Sequence, residues 1–240
     1  MLTLPDHLLV LVIVIGLPLR ALFSMRALRS ATETALPALR RRLWARAMLS
    51  QWALVACVAA LWLWTHRSPV SMRLVLLPTP GLVGVLVGLA TIVSLVVRQR
   101  AAIAHDHTLR ARVRERLASV QRLLPHSGRE FHGFVPLAIT AGVCEELLFR
   151  GFLLWYLAHL MPPPAAWVVQ SVVFGLGHAY QGARGVLMTG IAGACFSGVV
   201  FVSGSLAPAM LIHALMDLHA GDLARRVFPA PPSAEEPGVS

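Results

Sequence analysis

FVPLAITAGVCEELLFRGFLLWYLAHL, residues 134–160, is the stretch around which the rest of the chain can be organised. Its 27 residues exceed the roughly 20 that a helix needs to cross a bilayer. The segment nevertheless carries Glu145, Glu146 and Arg150. On an insertion scale each central charge costs roughly 2.5 to 3.5 kcal/mol, whereas each Leu, Ile, Phe or Val returns only about 0.3 to 0.6 kcal/mol. We therefore expect the charges to have partners or water inside a helix bundle, where ionisable groups mark functional sites.

Helical spacing arranges these charges on one face. At about 100° per residue, Glu145, Glu146 and Arg150 fall within one sector of about 140°. Glu146 and Arg150 are four residues apart in the favourable acid-before-base order, so the sequence predicts an ion pair between them. Glu145 is then left as the unpaired carboxylate.

The composition of the whole chain is that of a polytopic membrane protein. Of its 240 residues 57% are hydrophobic and 13% charged, and the mean hydropathy is +0.70. All 21 basic residues are arginine, which we attribute to a GC-rich, bacterial genome. The net charge of +10 would fit nucleic acid, but no aromatic platform accompanies the arginines, so no nucleic-acid partner is predicted. Cys57, Cys144 and Cys195 lie in apolar runs without metal-ligand spacing.

Apolar runs predict an all-α bundle of about seven transmembrane helices. The first three spans make up an N-terminal region, residues 1–97, and the last four lie in a membrane core, residues 133–220. The predicted spans are residues 7–24, 48–64, 81–97, 134–158, 165–180, 185–203 and 205–220.

The arginines predict the orientation of the bundle. Seventeen of them lie in segments on one side of the predicted spans and two, Arg67 and Arg73, on the other. The positive-inside rule then places the N-terminus outside and the C-terminus in the cytoplasm, in a bacterial plasma membrane. Residues 98–132 are predicted as a basic, amphipathic cytoplasmic segment lying on the lipid bilayer, and a solvated basic loop is an equal alternative for them. Residues 221–240 are predicted as a disordered cytoplasmic tail.

Two further pairs of polar or aromatic residues occur at helical spacing beyond residue 160. Phe174 and His178 are four apart near the end of the fifth span, and His213 and Asp217 are four apart in the seventh. With the predicted orientation, Glu145 and these three ionisable residues all fall in the cytoplasmic half of the membrane. We therefore expect them to converge on one site.

These residues carry a resemblance to a known family. The runs EELLFR (145–150), FGLGH (174–178) and HALMD (213–217) resemble the EExxxR, FxxxH and HxxxN/D motifs of the CPBP family. That family comprises type II CAAX-prenyl endopeptidases and related bacterial intramembrane proteases. The similarity covers roughly residues 125–220, and three motifs in order make it specific.

The resemblance implies hydrolysis of a peptide bond in a membrane-associated peptide or protein substrate. Glu145 would activate water, His178 would position it, and His213 and Asp217 would lie near the oxyanion. Glu146, Arg150 and Phe174 would support these groups. Asp217 departs from the Asn that many members carry: an Asn can donate to an oxyanion, whereas Asp217 can do so only when protonated, and otherwise could only orient His213.

Two alternatives stay open at this point. The same protease could depend on zinc, with Glu145, His178 and His213 as ligands, although the sequence predicts no cofactor and contains no HExxH. Buried ionisable residues also line transporters, but no inverted repeat is visible. A non-enzymatic membrane partner of the immunity type belongs to the same second alternative.

Overall fold

The computed structural model describes residues 2–75 and 80–228, and all regular elements in these ranges are helical. This confirms the predicted all-α class. Two π-helical segments, Val12–Gly16 and Leu147–Leu153, join α1 to α2 and α6 to α7. The α-helices are α1 (Leu4–Leu11), α2 (Leu17–Ser30), α3 (Leu36–Trp64), α4 (Pro80–His105), α5 (His107–Leu117), α6 (Gly128–Glu146), α7 (Leu154–Ala158), α8 (Pro163–Gly177), α9 (Ala183–Ser203) and α10 (Ala207–Val227).

The helices form rods that coincide with the predicted spans. Four segments in the described ranges are long and apolar enough to cross a membrane, namely Leu4–Ser30, Leu36–Trp64, Val83–His105 and Ala183–Ser203. The other three predicted spans are not among these four. The rod from α6 to α7 and helix α10 carry charges, and α8 has only 15 residues, or about 22 Å. The protein is thus an integral membrane protein, while the count of seven spans stays a prediction.

Large apolar side chains cover the outer faces of the long helices. A soluble protein would bury most of these groups, whereas hydrocarbon chains solvate them. More than half of the side-chain surface is exposed at Phe23, Leu63, Val87, Leu187 and Phe201.

Close contact between α6 and α10 brings the two carboxylates next to His213. Gly142 permits it, because a Cβ at that position would lie 2.7 Å from the backbone nitrogen of Ala214 and 2.8 Å from the carbonyl oxygen of Met210. Helix α6 also packs against α3, and α8 packs against α9. Helices α3 and α10, from distant parts of the sequence, therefore both pack against α6.

The α-helix predicted over residues 134–158 is interrupted directly after the two glutamates. Residues Leu147–Leu153 form a π-helical segment, and Leu148, Phe152 and Leu153 in it are fully or almost fully buried. A π-bulge changes the rotation per residue, so the side chains beyond it lie at angles that a regular 100° pattern does not give. Such bulges are frequent at functional sites.

The apolar stripe of residues 98–132 packs against other helices of the protein. Val113 on α5 is buried in a cluster that includes Leu223 and Ala224 of α10. Trp44 Nε1 donates to the carbonyl oxygen of Leu123 at 3.0 Å and fixes the segment to α3. Helix α10 continues to Val227 and offers this stripe an apolar face that periodicity in the segment itself cannot reveal. The position of the segment on the bilayer stays a prediction.

The same continuation of α10 corrects the predicted tail. Residues 221–227 are helical, and Gly221, Leu223 and Ala224 are buried. Asp222 pairs with Arg100 of α4 at 2.8 Å and with Arg226 at 3.0 Å, so this end of the helix has both apolar and ionic partners. Residues 229–240 of the predicted tail lie outside the described residues.

Candidate active site

A cavity of about 380 Å³ lies between α2, α3, α6 and α10, next to the end of α8 and the segment after α5. All four residues predicted to be catalytic line it: Glu145, His178, His213 and Asp217. Most of its other lining residues are apolar. The cavity therefore combines a hydrophobic interior with a small set of ionisable groups, as small-molecule and peptide sites commonly do.

Glu145 has one carboxylate oxygen fixed and one without a protein partner. Its Oε1 accepts a hydrogen bond of 2.8 Å from Nε2 of Gln51 on α3. Its Oε2 has no hydrogen-bond partner among the described residues, and Nε2 of His213 lies 4.0 Å from it. The prediction that Glu145 would be unpaired is thus correct for only one of its oxygens.

Glu146 joins Arg150 and His213 in one buried group. The predicted ion pair is present, with Arg150 Nη1 2.9 Å from Oε1 of Glu146 and both side chains inaccessible to solvent. Nδ1 of His213 lies 2.8 Å from the same oxygen. Because a carboxylate only accepts, Nδ1 carries the proton, and Nε2 of His213 is the nitrogen left for Glu145 and Asp217.

The partner of His213 differs from the one that the sequence suggested. Its Nε2 lies 4.0 Å from Oδ2 of Asp217, which is too long for a hydrogen bond. Glu146 therefore orients the imidazole, and Asp217 does not. The Asp217 side chain is 39% exposed, so it faces the open part of the cavity.

Aromatic rings enclose the guanidinium of Arg150. Its Cζ lies 4.0 Å from the ring centre of Phe174 and 5.3 Å from that of Phe196, distances at which cation–π attraction operates. Gly193 on α9 leaves the space for this arrangement, since a Cβ there would lie 3.0 Å from Nη2 of Arg150. Phe174 thus supports Arg150, which in turn supports Glu146.

His178 is positioned by the end of α8 rather than by its interior. The helix predicted to reach residue 180 ends at Gly177, and His178 is the residue that follows. Its Nδ1 lies 2.9 Å from the carbonyl oxygen of Phe174, and its ring centre lies 4.9 Å from that of Phe174. Because a carbonyl oxygen only accepts, Nδ1 carries the proton, and the neutral ring offers Nε2 as an acceptor.

Sequence reasoning missed two polar residues from the N-terminal helices. Gln51 on α3 holds Glu145, and Arg20 on α2 lines the same cavity. The available signal was a polar residue inside each of two apolar spans, but nothing in the sequence connects either residue to a glutamate about one hundred positions away. Tyr180, which follows His178, also lines the cavity.

The residues as placed do not form a metal site. Within residues 2–75 and 80–228, no three His, Cys, Asp or Glu side chains are grouped so that they could hold a metal ion. This applies also to Glu145, His178 and His213, the ligands expected if the protease depended on zinc. Zinc requires its nitrogen and oxygen ligands at about 2 Å from one point. The expectation of a reaction without a metal stays a prediction.

The comparison with protein families agrees with the three motifs. Residues 128–219 match the family model described as type II CAAX prenyl endopeptidase Rce1-like. The resemblance expected from the sequence is thereby confirmed. No curated protein and no solved structure matches this chain. The matched range contains all the predicted catalytic residues, but it contains neither Gln51 nor Arg20.

Proposed function

We propose that this protein is an intramembrane endopeptidase that uses Glu145 to activate water, because residues 128–219 match the Rce1-like model of type II CAAX prenyl endopeptidases. One observation carries the assignment of the base. Glu145 has Oε1 held by Gln51, while Oε2 has no protein partner in the described chain and two histidines line the same cavity. The substrate is a membrane-delivered peptide or protein that enters this cavity.

The attack step needs a base and a second acceptor for the same water. Oε2 of Glu145 takes one proton, and Nε2 of His178 accepts a hydrogen bond from the other hydrogen. The water oxygen adds to the carbonyl carbon of the scissile bond, whose π electrons move onto oxygen. Collapse of this tetrahedral intermediate breaks the C–N bond, and the proton held by Glu145 passes to the leaving amine.

His213 is placed to stabilise the oxyanion. Glu146 accepts from its Nδ1, and a protonated ring would then donate from Nε2 towards the cavity. Carboxylate oxygens of Glu145 and Asp217 each lie 4.0 Å from Nε2, which favours a positive charge on the ring. Asp217 therefore affects the oxyanion only by favouring the positive charge on His213, because a carboxylate has no proton to donate.

Purified protein in detergent, incubated with a library of apolar peptides, tests the proposal. We expect cleavage products whose ends can be identified by mass spectrometry. Glu145→Gln should remove cleavage by at least about 100-fold while the protein stays folded, because the amide keeps the shape but is not a base. The control is Glu115→Gln at an exposed carboxylate on α5, which should cleave as the native protein does. Normal cleavage by Glu145→Gln would assign the base elsewhere.

A further inference from the structure

Arg20 is a cation in the reaction cavity whose guanidinium is only partly used by the protein. Its Nη1 donates to Oγ of Ser50 at 2.5 Å and to the carbonyl oxygen of Arg46 at 3.3 Å. Its Nε is buried without a hydrogen-bond partner, and both contacts of the guanidinium use Nη1, so Nη2 remains available. Within the described ranges no carboxylate lies within ion-pair distance of this group. A charge in a poorly hydrated cavity is costly without an anion beside it.

The position of Arg20 relative to Glu145 is fixed by two consecutive residues of α3. Ser50 accepts from Arg20, and Gln51 donates to Glu145. The Cα atoms of these two neighbours are about 3.8 Å apart, and Arg20 and Glu145 line the same cavity, so the guanidinium lies within a few substrate residues of the reacting carbon. Arg20 is thus too close to the chemistry to be separate from it.

The unused side of the guanidinium suits a carboxylate. Nε and Nη2 point along one edge of the planar group, and this edge forms two parallel hydrogen bonds with carboxylate oxygens. Nη1 is already held on the opposite edge, so the side chain is oriented before a ligand arrives. Ser50 donates its own proton to Ala47, which leaves its oxygen as an acceptor for Arg20.

We propose that Arg20 determines specificity by binding a carboxylate of the substrate a few residues from the scissile bond. This inference rests on the proposed endopeptidase function and adds a recognition residue from α2, outside the matched residues 128–219. The carboxylate is either that of the peptide's C-terminus or that of an acidic side chain. Binding it would fix the register of the substrate in the cavity and hence the bond that is cleaved.

Three versions of one cleavable peptide distinguish the sources: a free C-terminal acid, the C-terminal amide, and the amide with one Glu placed two to four residues beyond the cleaved bond. We expect the native protein to cleave at least one carboxylate-bearing version with a kcat/KM about 10- to 100-fold above the plain amide, mainly through KM. Arg20→Gln should lose that preference, so that its kcat/KM values for the acid and amide peptides become equal within about threefold. Arg20→Lys, which keeps the charge without the fork, should retain part of it.

Arg26→Gln is the matched control, because Arg26 is an exposed arginine one and a half turns further along α2. It removes the same formal charge and should keep the preference. Equal cleavage of all three peptides by native protein would overturn the inference, as would an equal loss on all three in Arg20→Gln.

Binding of the same peptides to the native protein, measured by fluorescence anisotropy, separates this inference from the proposed function. A protein that prefers the carboxylate peptides but never cleaves them would refute the endopeptidase and keep the role of Arg20. A protein that cleaves all three peptides but shows no preference would support the endopeptidase and refute the role of Arg20. If Arg20→Gln does not fold, the test is the ratio of kcat/KM for the acid and amide peptides, compared between the native protein and Arg20→Lys.

Discussion

Nε2 of Gln51 on α3 lies 2.8 Å from Oε1 of Glu145 on α6. The bond joins residues 94 positions apart and leaves Oε2 as the free oxygen of the carboxylate. It therefore links the N-terminal helices to the chemistry of the matched domain. A glutamate that rotates freely would present either oxygen, in many orientations, to water.

The first prediction concerns this bond. Gln51→Met keeps the volume of the side chain but removes the donor, and we expect kcat to fall about 10- to 100-fold with KM changed by less than about threefold, since hydrogen bonds to charged groups contribute about 1.5 to 3 kcal/mol. Steady-state kinetics on a cleaved peptide measure both constants. Gln170→Met is the control, because Gln170 is a buried glutamine bonded to Ser197 and does not line the cavity. An unchanged kcat in Gln51→Met would show that Glu145 needs no positioning.

The buried pair of Glu146 and Arg150 should matter first for folding. Arg150→Ala leaves an uncompensated carboxylate, a change that costs roughly 3 to 5 kcal/mol in soluble cores, so we expect little folded protein in the membrane. Arg184→Ala, at an exposed arginine of α9, should change stability by less than about 0.5 kcal/mol. Size-exclusion profiles and thermal unfolding in detergent make the comparison.

The double variant Glu146→Leu with Arg150→Met separates folding from catalysis. It removes both buried charges, so we expect folded protein to recover towards the native amount. Activity should stay lost, because His213 no longer has the carboxylate that orients its ring. Recovery of both properties would show that Glu146 acts through stability alone.

Metal dependence can be tested directly. We expect activity to survive exhaustive treatment with membrane-compatible chelators, and the protein to purify without stoichiometric zinc. The reason is geometric, since the His, Asp and Glu side chains of the described residues are not grouped around one point at zinc-ligand distances. Inhibition by chelators that added zinc specifically reverses would establish the metalloprotease instead.

The orientation predicted from the arginines is open to cysteine labelling. Single cysteines at positions 115 and 71 are compared in a background with Cys57, Cys144 and Cys195 replaced by Ala, using an impermeant thiol reagent on intact cells. We expect position 71 to react and position 115 to react only after lysis, because seventeen arginines lie on the side of residue 115. The opposite pattern would invert the topology.

Stability should depend on pH through His126, which lies between α5 and α6. Burial, followed by the positive charge of Arg40, lowers the pKa of His126 below its usual value. The unfolded chain therefore takes up a proton that the folded protein resists, so this contribution to stability is complete above about pH 6.5 and is lost as the pH falls through and below that value. We expect the Tm in detergent to fall between pH 7 and pH 5, and His126→Gln to show a shallower fall. The same slope in both proteins would assign the pH dependence to other groups.

The sequence by itself determined the features that depend on near neighbours along one helix. The pair Glu146–Arg150 is four residues apart, and the alternation of apolar and charged faces on α6 follows from a fixed rotation per residue. The three motifs carry the resemblance that the family model matches over residues 128–219, and they brought Glu145, His178, His213 and Asp217 onto one candidate list. The cavity contains all four. These relations need no knowledge of how the helices pack.

Only the tertiary structure decided which groups meet across helices. Glu146, not Asp217, accepts the hydrogen bond from Nδ1 of His213, because the contact at Gly142 sets how α6 and α10 lie against each other. Gln51 and Arg20 enter the site because α3 and α2 pack beside α6, and the stripe around Val113 is covered because α10 extends past it. Helical periodicity fixes the direction of a side chain relative to its own axis, whereas the distance between two helices depends on the fit of both surfaces, which no single segment of sequence contains.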